Sequence, residues 1–311
     1  MRHRSKASAL KLLAPMLFAF GAALASAQTT TPSSSAASAT LVAPPPGGDR
    51  ASMETMQIRS HGSPMNALVY VAAGAGPHPA VILLHGFPGN ERNLDLAQDI
   101  RRAGWDVLYF NYRGSWGTPG KFSFTHGIED TAAALAYLRQ PDVARKLRLD
   151  PTRIVLIGHS MGGFMAVETA ATDPAIKAVA TISAADFGGN FLASLDKEPK
   201  AAAIEQLSKA LANEGMAPLA GCTPKGLALD VADHARAWSF SANVDALKNR
   251  TALVITSDDG LAKQNQTFAD ELTRAGDSKV TSAHFPTDHA YSDQRTELSS
   301  AVLHWLASLP N

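Results

Sequence analysis

The chain has 311 residues, 45% of them hydrophobic, and 28 basic residues against 28 acidic ones, a balance that carries no electrostatic footprint for nucleic acid. Its single cysteine, Cys222, excludes an intrachain disulfide and has no activating histidine nearby in the sequence, while the length suits one large domain. No H-E-x-x-H, paired C-x-x-C, P-loop or internal repeat occurs, so metal, cofactor and nucleotide chemistry have no support in the residues.

Residues 1–27 place Arg2, Arg4, Lys6 and Lys11 ahead of an apolar run, Leu12 to Leu24, that closes on Ala25-Ser26-Ala27. A basic start, a short apolar stretch and an A-x-A site are the order of a secretory signal peptide, with cleavage expected before Gln28 and a periplasmic or secreted product. The run is shorter than the about 20 apolar residues a spanning helix needs, so no stable membrane span is expected after cleavage. Loss of four basic residues and no acidic one leaves a mature net charge of −4. Residues 28–52 are Ser, Thr, Ala and Pro ending in Pro44-Pro45-Pro46-Gly47-Gly48, too poor in apolar surface to offset ordering entropy, and read as a disordered linker. Residues 53–311 form the expected folded domain.

Within it, Met56–Arg59 and Ala67–Val71 have strand character and are joined through His61-Gly62-Ser63-Pro64, which suits an antiparallel hairpin. Ala80–Leu84 is a continuous apolar strand, as expected where helices cover both faces of a parallel sheet. It ends in His85-Gly86-Phe87-Pro88-Gly89, where His85, opening a Gly-rich turn, reads as structural. Trp105–Tyr112 is the next strand and leads into Arg113-Gly114-Ser115-Trp116-Gly117; Ile128–Leu138 then repeats apolar residues at helical period. Strand and helix alternate, the pattern of a doubly wound, mostly parallel sheet in an α/β domain.

Ile154–Ile157 is a β-branched strand that stops at Gly158-His159-Ser160-Met161-Gly162, and Phe164, Met165, Ala166, Val167 and Ala170 then fit a buried helix. G-x-S-x-G between a strand and a helix forces the central residue into a strained turn that exposes its side chain over the sheet edge, so Ser160 reads as a nucleophile. On this motif and its context the chain resembles the α/β-hydrolase superfamily, in its esterase, serine-aminopeptidase and prolyl-oligopeptidase-like branches, and the resemblance implies the α/β-hydrolase fold. It further implies that the H-G-F-P-G loop and the residue after the nucleophile supply oxyanion-hole N–H groups, which here are those of Phe87 and Met161. The R-G-S-W-G loop is similar to loops that run along the active-site rim in the family.

Val179–Ser183 and Thr251–Thr256 read as the next two strands. Between them residues 184–250 exceed the roughly 2–6 residues usual for such connections and read as a mostly helical cap insertion over the site. Phe187, Phe191, Trp238 and Phe240 are candidates to line an acyl pocket, although aromatic residues so spaced more often form a cap's own core. The resemblance orders the remaining catalytic groups as acid and then histidine along the chain. Ser257-Asp258-Asp259-Gly260 follows the strand; Asp259 is favoured as the acid because the family's carboxylate sits two residues past the small residue ending the strand, with Asp258 as the alternative. Lys279–Phe285 alternates as the last strand, and His289 on the loop beyond it resembles the family's base, whereas His284 lies within the strand and His126 and His234 in other segments.

The resemblance therefore implies a secreted serine hydrolase that cleaves carboxylic esters through Ser160, Asp259 and His289, needing no cofactor or metal and acting on a small-molecule ester or peptide. A peptidase or amidase of the same fold is the nearest alternative, and a non-catalytic binding protein on a hydrolase scaffold the more distant one. Neither substrate identity nor oligomeric state is readable from these residues.

Overall fold

The computed structural model describes residues 49–276 and 279–310. The expected signal peptide, and the expected linker up to residue 48, lie outside the described residues. An antiparallel hairpin, β1 (Ser52–Ser60) and β2 (Ser63–Val71), opens the domain. His61 and Gly62 at its tip both have positive φ, 46° and 86°, as a two-residue hairpin turn of matching twist requires. Both strands are longer than their apolar residues suggest, because backbone pairing continues in register from Ser52 opposite Val71 to Ser60 opposite Ser63. β1 thus begins inside the stretch read as linker.

After the hairpin come β3 (His78–Leu84), α1 (Leu94–Arg102), β4 (Asp106–Phe110), α2 (Phe124–Leu138), α3 (Pro141–Leu147), β5 (Leu149–His159) and α4 (Met161–Thr172). The second half contains β6 (Ala178–Ile182), α5 (Phe187–Leu195), α6 (Lys200–Asn213), α7 (Pro224–His234), α8 (Phe240–Leu247), β7 (Thr251–Ser257), α9 (Ala262–Arg274), β8 (Val280–Phe285) and α10 (Arg295–Ser308). One eight-stranded sheet results, in the order β1-β2-β4-β3-β5-β6-β7-β8. β2 is antiparallel to both neighbours, and every pair from β4 to β8 is parallel.

The alternation of side chains along buried parallel strands divides the core in two. Ile82, Leu84, Leu156 and Val254 face one way, against Leu135 of α2, Phe164 of α4, Phe268 of α9 and the helices of the insertion. Val81, Leu83, Val155, Ile157 and Ile255 face the other way, against Leu96 and Ile100 of α1 and Leu298, Val302 and Trp305 of α10. Helix α1 buries Leu96, Ala97 and Ile100 at helical spacing, but its nine residues are too few for that spacing to mark a helix in the sequence. β3 sits between β4 and β5, so the chain leaves it toward one side and later returns to the other. That reversal opens a crevice beyond the carboxyl ends of β3 and β5, the general place for ligands in open α/β sheets.

The insertion is four helices, α5 to α8, stitched to the domain by polar contacts. Thr125 at the start of α2 donates its hydroxyl to Asp230 at 2.6 Å and its N–H at 3.0 Å. Backbone pairing joins Ala220 to Gly114 and Phe122, and Trp116 to Pro218. Helix α7 ends at His234 and the chain becomes helical again at α8, whose first turn is capped by Ser239. Asn243 of α8 donates to Glu168 of α4 at 2.8 Å.

Glu168 is buried, and burial pushes its carboxyl up from 4.5 to about 8, with Asp186 nearby adding to the rise and Asn243 opposing it. Folding therefore favours the protonated acid. Its stabilising contribution is complete below the ordinary value of 4.5 and is lost as pH rises toward about 8. Glu168→Gln keeps an acceptor for Asn243 and removes the ionisation, so it is expected to raise stability at pH 8 by on the order of 2 kcal/mol while changing little at pH 5. Urea denaturation at the two pH values checks this.

Candidate active site

Ser160 stands between β5 and α4 with φ 57° and ψ −121°. A side chain other than glycine at such a φ costs of order 1–3 kcal/mol and persists only where its surroundings impose it. Here they do: the Ser160 N–H donates to the Ile182 carbonyl at 2.9 Å, and its carbonyl accepts from Gly163 and Ala185 at 3.0 and 3.1 Å. The glycines of the motif serve close approach. A Cβ on Gly158 would overlap the Gly162 carbonyl, and one on Gly162 would overlap the Leu84 carbonyl at the end of β3. Gly86 lets its own loop reach Ser160, since a Cβ there would lie 2.9 Å from that of Ser160.

Met161 is the first residue of α4, where backbone N–H groups have no acceptor within the helix and the helix dipole favours negative charge. Phe87, in the loop after β3, lines the same cavity as Ser160. Pro88 after it has no N–H to offer. His85, in contrast, is buried against Tyr112 and Tyr109, with ring centroids 4.6 and 5.8 Å away, and its Nδ1 hydrogen-bonds the Gly86 carbonyl at 2.8 Å. Burial lowers its pKa to about 4, as suits a neutral structural imidazole.

The two adjacent aspartates diverge. Asp259 is covered, its side chain 3% exposed, and its Oδ2 accepts from Nδ1 of His289 at 2.7 Å. Burial alone raises this carboxyl, but hydrogen bonds from His289, Ser183 and the Leu261 N–H outweigh it and hold the group well below the usual carboxylate range. Asp258 is exposed and pairs with His284 at 3.2 Å. Its N–H donates to the Thr287 carbonyl at 3.0 Å, which ties the loop after β7 to the loop after β8. His284 also meets Thr256 at 2.9 Å and does not line the cavity.

Ser160 and His289 line one cavity of about 300 Å³, with Gly86 to Glu91, His159, Glu214, Asp288 and Ala290. Of the insertion, only Glu214, just past α6, is among these residues, so the cavity walls come chiefly from the core loops. Phe191, Trp238 and Phe240 are buried, Trp238 packing on Phe164 of α4 at 5.3 Å and Phe240 on Phe268 of α9 at 4.9 Å, and Phe187 packs on Phe124 and Phe164, at 4.4 and 5.2 Å. None of the four candidate acyl-pocket aromatics reaches this cavity. Trp116 of the R-G-S-W-G loop supports the wall from behind, its indole N–H donating to the Pro88 carbonyl at 2.8 Å.

Tyr291 is fully buried, and its hydroxyl meets Ser183 Oγ at 2.9 Å, which in turn meets Ser257 Oγ at 3.0 Å. This chain runs beneath Asp259, and burial keeps the Tyr291 phenol up at about 12, a neutral hydrogen-bonding group. His159 precedes Ser160 in the chain and packs its ring 4.6 Å from that of His289, and its place beside the serine was the one signal in the sequence that could have marked it. Cys222 is half-buried, and burial pushes its thiol up, away from nucleophilic character. Among the described residues no group of three or more His, Cys, Asp or Glu side chains could hold a metal ion.

The alpha/beta hydrolase fold family matches residues 79–212. The quorum-quenching protein AidA of Acinetobacter baumannii is 31% identical over 150 residues, 46% of this chain and 47% of that protein. The matched stretch thus spans about half the length of that protein. Among solved structures, EstE1, a thermostable carboxylesterase cloned from a metagenomic library, superposes with a TM-score of 0.58 at 20% identity, over 85% of this chain and 91% of that one. A carboxyl esterase of Bacillus coagulans superposes with a TM-score of 0.62 at 15% identity, over 82% and 98%. Sheet order, family match and superpositions agree on the α/β-hydrolase fold.

The crowding around Gly162 has a measurable consequence. Gly162→Ala is expected to cost roughly 3 kcal/mol or more of stability, or to prevent folding, since rigid backbone must move. Gly104→Ala, where φ is +93° but nothing lies within 4 Å, should cost only about 1–2 kcal/mol. Urea midpoints of the two variants provide the comparison.

Proposed function

We propose that this chain, which has the α/β-hydrolase fold, is a serine hydrolase that cleaves carboxylic esters with Ser160 as nucleophile, His289 as base and Asp259 as its carboxylate partner. The observation that carries the reading is the 2.7 Å hydrogen bond from His289 Nδ1 to the buried Asp259, with His289 and the strained Ser160 on the wall of one cavity. A hydroxyl becomes a useful nucleophile only when a base takes its proton as it attacks, and an imidazole fixed by a carboxylate is such a base.

In this mechanism His289 Nε2 accepts the Ser160 proton as Oγ bonds to the ester carbonyl carbon. The Phe87 and Met161 N–H groups receive the developing oxyanion, a contribution worth about 2.7–4 kcal/mol of barrier per donor. His289 returns the proton to the departing alkoxide, leaving an acyl-enzyme, and water repeats the sequence to release the acid. Asp259, ionised across the working pH range, holds Nδ1–H and stabilises the imidazolium.

A second reading, cleavage of amides that carry a free amino group, draws on Glu91, Glu214 and Asp288, three carboxylates among the cavity-lining residues. Parallel assays on acyl esters and aminoacyl amides distinguish the two. We further propose that the protein is exported to the periplasm or beyond; mass spectrometry of the exported protein should find Gln28 at its amino terminus, and an intact Met1 would count against it.

Labelling by a fluorophosphonate is expected for the native protein and not for Ser160→Ala. If the native protein is unlabelled and hydrolyses neither ester nor amide, the reading is wrong. Asp259→Asn should lower kcat by about 10⁴-fold, because the amide cannot hold the required tautomer of His289. Asp258→Asn should leave kcat within about threefold, since its partner is His284 at the rim.

A further inference from the structure

His289 is held at two points, and only one of them is the carboxylate. Its backbone carbonyl oxygen lies 2.7 Å from Nε2 of His159. A carbonyl oxygen can only accept, so Nε2 of His159 carries the proton and donates it. The two imidazoles also pack together, ring centroids 4.6 Å apart at 41°. His159 is 3% exposed, and its Nδ1 finds no hydrogen-bond partner among the described residues. A buried polar atom without a partner carries an uncompensated desolvation cost that an apolar side chain would avoid.

We propose that His159 is a positioning residue: as a neutral donor it clamps the backbone of His289 to the end of the nucleophile strand and so sets the base at working distance from Ser160. The adjacency is what makes this effective. His159 and Ser160 are consecutive on the rigid end of β5, whereas His289 stands on a loop past the edge strand β8. Asp259 fixes the ring from the far side but belongs to another loop, so it orients the imidazole without referring it to the serine. The hydrogen bond from His159 supplies that reference directly.

The neighbourhood keeps the clamp uncharged. Burial first, then the adjacent His289 and Arg295, hold the His159 pKa down to about 3, against the opposing influence of the His289 carbonyl and Asp259. A second cation beside His289 would oppose the imidazolium that forms as Ser160 attacks. Neutral His159 donates its hydrogen bond without that penalty.

This inference rests on the serine-hydrolase reading, and its test separates the two. His159→Phe keeps a ring of similar size and removes the donor; His159→Gln restores an N–H donor on a shorter, flexible stem. With rates normalised to fluorophosphonate-titrated sites, His159→Phe should lower kcat on p-nitrophenyl acetate by about tenfold with KM within about twofold, and His159→Gln should recover at least half of the loss on a logarithmic scale. Hydrogen exchange is the second readout and needs no activity: amides of residues 287–292 should exchange several-fold faster in His159→Phe than in the native protein. Should His159→Phe fail to fold, His159→Asn, too short to reach the carbonyl, takes its place. Native kcat and native exchange in His159→Phe would overturn the proposal, as would equal losses in Phe and Gln, which would trace the effect to packing. A native protein that is unlabelled by the fluorophosphonate defeats the serine-hydrolase reading alone, and the exchange data then decide the clamp.

Discussion

The arrangement depends on one contact that only glycine permits, the approach of Gly162 at the start of α4 to the Leu84 carbonyl at the end of β3. With that approach, and the reciprocal one of Gly158 to Gly162, the strand, the helix and the loop after β3 meet with no side chain between them. Ser160 is forced to positive φ at the meeting point, and its hydroxyl faces the crevice that the strand order opens. The loop that carries Phe87 and the helix amino terminus that begins at Met161 meet here for the same reason, Gly86 lying against Ser160 and Gly162 against the Leu84 and His85 carbonyls.

Around this rigid centre the electrostatics is sorted by burial. Two histidines, His85 and His159, are enclosed and held neutral, with pKa values near 4 and 3, and each gives its proton to a carbonyl. His289, 41% exposed on its side chain, is the imidazole that meets both the cavity and a carboxylate. Asp259 is buried yet kept ionised because three donors converge on it, one of them Ser183, which Tyr291 and Ser257 also engage. A carboxylate in that position without those donors would rise toward neutrality and lose its hold on an imidazolium. The buried hydroxyl chain is therefore part of the acid's environment, although none of its members faces the cavity.

The insertion plays a narrower part in the site than its length suggests. Its aromatic residues pack against α2, α4 and α9, as four short helices without a sheet of their own must do to bury apolar surface. Its contacts with the core, Asp230 to Thr125 and Asn243 to Glu168, fix its place beside α2 and α4, and Glu214 is the residue it delivers to the cavity. The scale of that delivery, one carboxylate against a wall of core loops, makes charge a more direct contribution of the insertion than shape.

Much of this was legible in the residues, and the boundary has a physical basis. Buried parallel strands write themselves as β-branched apolar runs, and the turn at Ser160 needs its glycines within two positions on either side, so the sheet, the alternation of helices and that turn are encoded over short windows. Helix α1 was not, although Leu96, Ala97 and Ile100 keep helical spacing, because nine residues fall short of the length at which periodicity separates a helix from other short apolar runs. Nor could spacing separate Asp258 from Asp259, which are neighbours in the chain and point to different partners. The hydrogen bonds of His159 with His289 and of Ser183 with Tyr291 join residues 130 and 108 positions apart. Local sequence determines which backbone each segment prefers; which side chains then meet is decided only when the sheet sets its strands in order and brings the loops at their carboxyl ends into register.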